Sequence, residues 1–313
     1  MVIREKAGNG TSTKGKPKVS IIACVVETKG INSIFRTLDS FLPQEGDIDF
    51  EFLVVDETPC YREEIYRERF PWIKLIPVER LMPEPYLRNI ALKQVQGEII
   101  VFSEDHVIFT RNYLKNLVHA FSKGYKIVGG PVIIADPELF IGWIQYFLEY
   151  NKWILRLHDG VVDDLPGCNY AYHITAVKKL EPFTEDDVKL DSFLNKKAKE
   201  YGMELYYCHA VKVAHVHETN IITIAVERFK FGWIFAARRD FRVWKRIAYS
   251  ILSPAIAVFE YCRIFRNVMY DRTCLMKFFQ CTPLLLPILL LWMTGECVGY
   301  TVGYKNKRRS GLV

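Results

Sequence analysis

Glu98-Ile99-Ile100-Val101-Phe102-Ser103-Glu104-Asp105-His106 joins a strand-like run to three groups able to bind a cation or a proton. Its first half is apolar and β-branched, which suits a buried strand. Its second half places three groups that can bind a metal or hold a proton where a chain normally turns. Glu-Asp-His is costly to bury and poorly suited to core packing. It is well suited to gripping a divalent cation, because carboxylate oxygen and imidazole nitrogen are both good ligands for Mn2+-like ions. Taken alone, the triplet suits an acidic turn equally well. The flanking elements decide between the two.

Upstream, residues 18–26 read as a buried strand, and residues 31–41 have helical spacing with Ile34, Leu38 and Phe41 on one side. Residues 50–55 form a second strand, ending at Asp56-Glu57-Thr58-Pro59. A helix over 61–70, a strand over 73–78 and a helix over 85–94, stopped at Gly97, precede the strand at 98–102. Strands and helices alternating at this length imply an α/β class: a Rossmann-like, mostly parallel sheet flanked by helices. In such sheets ligands bind beyond the carboxyl ends of the strands. Asp56 and Glu104-Asp105-His106 both fall at such ends. Past Gly129-Gly130-Pro131 the pattern loosens. A helix is expected over 143–157, a loop over 163–172, and a helix over 191–201 ended by Gly202. A strand is expected within 204–217.

The chain has 313 residues, half of them hydrophobic, and a net charge of +6. The charge is unevenly placed. Residues 1–17 are polar and mostly basic (Arg4, Lys6, Lys14, Lys16) without the apolar stretch of a secretory signal, so a flexible cytoplasmic arm is expected. Arg238 to Arg246 is basic with aromatics interleaved, a pattern that meets nucleic acid or anionic lipid. The apolar stretches behind it favour lipid and exclude nucleic acid. Phe278 to Gly295 holds no charged residue and is long enough to span a bilayer. The shorter run 247–259 carries Pro254 and suits an interfacial or re-entrant position. Lys305-Asn306-Lys307-Arg308-Arg309 is placed in the cytoplasm by the positive-inside rule. A cytoplasmic catalytic part then requires an even number of crossings, which one span does not give, and topology stays open. Eight cysteines without a Cys-x-x-Cys pair suit buried apolar residues in a reducing compartment.

Seven segments, in order, resemble those of family 2 glycosyltransferases with the GT-A fold. They are Val19-Ser20-Ile21-Ile22, Phe52 to Asp56, Leu87-Arg88-Asn89, the Glu104-Asp105-His106 motif, Gly167-Cys168-Asn169-Tyr170-Ala171-Tyr172, Pro182 to Asp191, and Val213-Ala214-His215-Val216-His217. The resemblance covers roughly residues 18–217. It implies nucleotide-sugar binding by Glu27, Asp56, Arg88 and Asp105. It implies an acceptor-side loop at Gly167, Asn169 and Ala171, and a metal held by Glu104, His106 and His215. His217, at the alternate position, would point the same way from a strand. The family typically has Asp-x-Asp where Glu104 and His106 stand. A nitrogen ligand in one of these places favours Mn2+ over Mg2+. The catalytic base implied is Asp191, counted back from Gly202, with Leu190 in place of the usual Glu. Asp187 and its neighbour Asp186 are rivals for the same role.

The polymerising members' Gln-x-x-Arg-Trp motif does not occur, which argues for one sugar per event. The resemblance therefore implies an inverting, non-processive glycosyltransferase. It would move sugar from a nucleoside-diphosphate sugar to a lipid-linked or cell-envelope glycan acceptor at the membrane, with its catalytic domain cytoplasmic. The expected organisation is a basic arm at 1–17, a catalytic domain at 18–225, a basic-aromatic amphipathic segment at 226–266, and a membrane helix with a basic tail at 267–313. The departures at Leu190 and His106 keep open a membrane-anchored nucleotide-sugar-binding pseudoenzyme. The basic belt keeps open an anionic-lipid-binding module.

Overall fold

The computed structural model describes residues 18–25, 31–57, 63–79, 82–154, 158–184, 191–217, 220–239 and 241–302. The basic segments 1–17 and 305–309 lie outside the described residues. The strands in chain order are β1 (Val19–Val25), β2 (Phe50–Asp56), β3 (Lys74–Pro77), β4 (Ile99–Glu104), β5 (Val107–Phe109), β6 (Ile127–Gly129), β7 (Val132–Ile134), β8 (Gly160–Val162), β9 (Tyr170–His173), β10 (Leu205–Tyr207) and β11 (Val213–His215). The α-helices are α1 (Ile31–Asp39), α2 (Glu63–Arg69), α3 (Glu84–Leu92), α4 (Tyr113–Ser122), α5 (Phe140–Tyr150), α6 (Ile174–Leu180), α7 (Asp191–Glu200), α8 (Ile221–Ala237), α9 (Val243–Val268) and α10 (Arg272–Val302). The chain divides into two compact units. One ends at Ala135 and resumes until Val216; the other holds Asp136–Ile154 and everything from His217 onward.

The first unit is built on an eight-stranded sheet of order β3-β2-β1-β4-β9-β6-β10-β8. Its β3-β2-β1-β4 half is parallel, as the βαβ alternation requires. Every residue of β1 is buried, because helices cover parallel sheets on both faces. The register pairs Val25 with Asp56 and Cys24 with Glu104, so β2 and β4 end at the same sheet edge, on either side of β1.

The other half departs from the sequence reading. The expected loop over 163–172 runs into β9, which pairs antiparallel with both β4 and β6. The single strand expected within 204–217 is two strands in two sheets. β10 continues the large sheet, and β11 is the middle of a three-stranded sheet of order β5-β11-β7. The two sheets join where β6 gives way to β7. A Cβ on Gly130 would lie 1.9 Å from the Val211 carbonyl oxygen, so only glycine lets these backbones touch. The Asn169 amide spans the same junction, with Nδ2 donating to the carbonyls of Pro131 (3.0 Å) and Val211 (2.9 Å).

The second unit is helical. Its α5 begins earlier than the sequence suggested and gives way at Tyr150 to a short 3-10 turn. Phe147 on α5 meets Phe278 on α10 edge-on at 5.9 Å. That aromatic packing explains why residues 136–154 belong with the C-terminal helices. Helices α8 and α10 approach backbone to backbone through small residues. Added Cβ atoms on Gly232, Gly295 and Gly299 would lie 2.3, 2.1 and 2.4 Å from the carbonyl oxygens of Trp292, Phe229 and Trp233.

The run 247–259, expected to be a short interfacial piece, lies inside the 26-residue α9. Pro254 deprives the Ser250 carbonyl of its helical donor. The helix nevertheless runs through the proline, and the Cys297 thiol of α10 lies 3.0 Å from Ser253 Oγ and 3.4 Å from that carbonyl. Both α9 and α10 are long and apolar enough to cross a membrane.

Candidate metal and donor site

Glu104 is the last residue of β4, and a tight turn carries Asp105 and His106 into β5. His215 closes β11. The antiparallel register sets His215 opposite Val107, next to His106, and the Val216 amide donates to the His106 carbonyl at 3.0 Å. One end of each sheet thus delivers ligands to a common point. Donor atoms of Glu104, His106 and His215 lie within 4.8 Å of one another. Nε2 of His106 is 3.1 Å and Nε2 of His215 is 3.0 Å from Glu104 Oε2. The two imidazoles meet edge to face at 4.5 Å. Both histidines are buried, while the Glu104 carboxylate keeps 26 % of its side chain open to solvent.

Burial raises the pKa of Glu104. The charge and hydrogen bond of His106 and the hydrogen bond and charge of His215 outweigh it, holding the carboxyl well below its ordinary range. Two imidazole nitrogens and one carboxylate oxygen suit Mn2+ and similar transition ions better than Mg2+, which prefers oxygen and retained water. His106 Nδ1 lies 2.7 Å from Asp105 Oδ1. A carboxylate on the far nitrogen is how metal-binding imidazoles are usually oriented. The residues present therefore fit a divalent metal.

The remaining sequence-predicted residues fall into two groups. Asp56 ends β2, is fully buried, and accepts the Tyr66 hydroxyl at 2.9 Å. Its neighbour Glu57 accepts the Met82 amide at 2.7 Å. Arg88, buried on α3, pairs with Glu84, donates to the Tyr170 hydroxyl and lies 5.3 Å over the Phe102 ring. It therefore ties α3 to β4 and β9. On the acceptor side, Gly167 is buried and Ala171 is fully buried between Val101 and Val128. Asn169 clasps the sheet junction described above.

β11 ends at His215, so His217 does not share its strand. The His217 ring packs against Tyr146 at 5.6 Å and Tyr150 at 5.8 Å in the second unit. Asp191 opens α7, with its side chain outside the described set. Glu27, Asp186, Asp187 and Leu190 lie outside the described residues.

Asn89 has a role that the sequence reading missed. Its amide and the Phe183 backbone exchange two hydrogen bonds, Nδ2 to carbonyl at 2.8 Å and amide to Oδ1 at 2.9 Å. This pair anchors the chain just before the segment carrying the candidate bases. The available signal is an asparagine in a helix interior, where it is disfavoured unless its side chain has work elsewhere.

A model for glycosyl transferase family 2 matches residues 20–180. No curated protein matches the sequence. Among solved structures, the chain is similar to one described as the crystal structure of GalNAc-T7 with UDP, GalNAc and Mn2+. The identity is 13% and the TM-score 0.52, over 71% of this chain and 51% of that one. The chain thus spans about half the length of that solved chain, and at this identity the likeness is one of fold.

Proposed function

We propose that this chain, which belongs to glycosyl transferase family 2 and has a GT-A-like fold, transfers a sugar from a nucleoside-diphosphate sugar to a hydroxyl on a lipid-linked or cell-envelope glycan. The observation that carries this reading is the convergence of Glu104, His106 and His215 at the carboxyl edge of the large sheet, the edge at which β2 also ends on the far side of β1. Asp56 and Arg88 stand on the nucleotide side, with Glu27 as a further donor contact. Gly167, Asn169 and Ala171 shape the acceptor side through the scaffold. Glu104, His106 and His215 hold the divalent cation, Mn2+ in preference to Mg2+. Bound there, that cation supplies Lewis-acid neutralisation of the departing diphosphate.

Asp191, or Asp187 upstream of it, accepts the proton of the acceptor hydroxyl. The hydroxyl oxygen forms its bond to the anomeric carbon as the bond from that carbon to the diphosphate oxygen breaks. The pair of electrons leaves with the nucleoside diphosphate, and a single in-line displacement inverts the centre. The missing Gln-x-x-Arg-Trp motif supports one sugar per event. Helices α9 and α10 are each long and apolar enough to span; two crossings would be the even number that leaves both the catalytic part and the basic tail in the cytoplasm. A site at that face would meet lipid-linked acceptors.

The test is a panel of nucleoside-diphosphate sugars with Mn2+ or Mg2+, scored by nucleotide release and by thermal shift. At least one donor is expected to bind and turn over in Mn2+, and a Glu104→Ala variant to lose both responses. Failure of every donor to bind overturns the reading. Turnover that survives Asp191→Asn moves the base to Asp187.

A further inference from the structure

Glu104, His106 and His215 supply the donor atoms of the proposed metal site, and the residue between the first two sets its carboxylate against the other ring nitrogen of His106. We propose that Asp105 is a positioning residue. Its Oδ1 accepts the Nδ1–H of His106 and so fixes the imidazole with Nε2 as the metal-facing nitrogen. This inference rests on the metal reading above.

Three observations carry it. Asp105 Oδ1 and His106 Nδ1 are 2.7 Å apart, while Nε2 of the same ring is 3.1 Å from Glu104 Oε2. The two ring nitrogens therefore face different carboxylates, and only the Nε2 side is shared with His215. Both Asp105 and His106 are more than nine-tenths buried, so water competes poorly for either contact. The backbone of the turn is pinned as well, by Val216 donating to the His106 carbonyl and by the β5–β11 register.

A neutral imidazole carries one proton. A buried acceptor at Nδ1 keeps it there and leaves the Nε2 lone pair for a cation. Without that acceptor the other tautomer competes, and the ring is free to rotate about its χ2 torsion. An adjacent residue can perform this role because β4 ends at Glu104. Once out of the strand, Asp105 and His106 no longer have to point to opposite faces.

The test uses the full-length chain and Mn2+ alone, with free Mn2+ followed by electron paramagnetic resonance. Asp105→Leu, which has no acceptor, is expected to weaken Mn2+ binding about 10–100-fold, the usual effect of losing such a partner. Asp105→Asn keeps an acceptor oxygen and is expected to restore most of the affinity. Spin-echo modulation of the bound ion should show two imidazole nitrogens in the wild type and in Asp105→Asn, but a weakened or missing His106 coupling in Asp105→Leu. Should Asp105→Leu fail to fold, Asp105→Ala takes its place with the same readouts.

Wild-type affinity and an unchanged nitrogen signature in Asp105→Leu or its replacement overturn the inference. So does equal weakening in Asp105→Asn, which would show that charge rather than orientation matters. If Mn2+ binding instead survives Glu104→Gln and His215→Ala, it is the metal reading that fails.

Discussion

The two halves of the eight-stranded sheet are held together by different physics. β3-β2-β1-β4 is a parallel block whose strands and covering helices follow one another along the chain, and its interior is mainly aliphatic and aromatic, with Ser20, Asp56 and Ser103 as buried polar exceptions. β9-β6-β10-β8 is assembled from short pieces far apart in sequence, and polar side chains stitch it. Asn169 holds the junction to the small sheet. Asn195 donates to Asp164 Oδ1 (2.6 Å) and to the Leu165 carbonyl (3.0 Å). Arg88 and Asn89 reach Tyr170 and Phe183 from α3. The first half contributes Asp56 and Glu104; the second carries the acceptor-side loop and leads to His215. Burial of apolar area is non-directional, so an aliphatic block tolerates small shape changes. A stitched block depends on particular atoms, because a buried polar group that loses its partner keeps its full desolvation cost.

The contrast is broken most directly at the junction. Gly130→Ala places a methyl group 1.9 Å from the Val211 carbonyl oxygen and 2.6 Å from that of Cys208. Both neighbours are backbone and neither can swing away. A loss of about 3 kcal/mol is expected, at the upper end for overpacking. Mn2+ binding should fall with it, since the same junction positions β11 and His215. Thermal unfolding and a Mn2+ titration of the one variant read both effects. A variant as stable as the parent would mean that the second sheet is not held at this point.

A paired comparison sharpens the contrast. Asn169→Ala removes the donor to two buried carbonyls and the Tyr113 hydroxyl's partner at 3.3 Å, and is expected to cost about 2–3 kcal/mol. Ile22→Val in the middle of β1, at 1 % exposure, removes one methylene from the aliphatic block and is expected to cost about 1 kcal/mol. Ile22→Val should leave Mn2+ affinity at the wild-type level, whereas Asn169→Ala should lower it. Urea denaturation with equal slopes for both variants makes the two losses comparable. Equal costs would remove the distinction between the halves.

The same difference decides what was legible in the sequence. The parallel block announces itself, because each strand and helix carries its own apolar period over enough residues to be seen. Glu104 and His106 were visible as a pair for the same reason, standing one residue apart behind a clear strand. The second half is written in pieces of three or four residues, too short to show a period. Tyr170–Tyr172 therefore reads as loop, and β5, β7 and β11 exist only through pairing with partners distant in sequence. His215 was found through the family's motif order, not through any local pattern. The roles of Asn89 and Asn169 in holding backbone were invisible, since a hydrogen bond to a distant carbonyl leaves no mark on the residues beside it. In the C-terminal unit Pro254 suggested a break. The helix runs through it, with Cys297 of another helix packed against the interrupted turn, beyond the reach of a local reading.

The aliphatic block makes a further, smaller prediction at Cys24, in the middle of the sheet between Val55 and Glu104. Burial, followed by the nearby charge of Glu84, pushes its thiol far above the ordinary cysteine range. The native chain therefore keeps this proton where an unfolded chain begins to lose it, above about pH 8.5. The group's contribution to stability is complete below that point and declines as pH rises past it, because the unfolded state then binds fewer protons than the native one. At pH 8, iodoacetamide should leave Cys24 unlabelled in the native protein and label it once urea is added, as read by peptide mass spectrometry. The thiolate is the reacting species, so rapid native labelling would mean that β1 opens to solvent. The parallel block would then be the less secure half of the sheet.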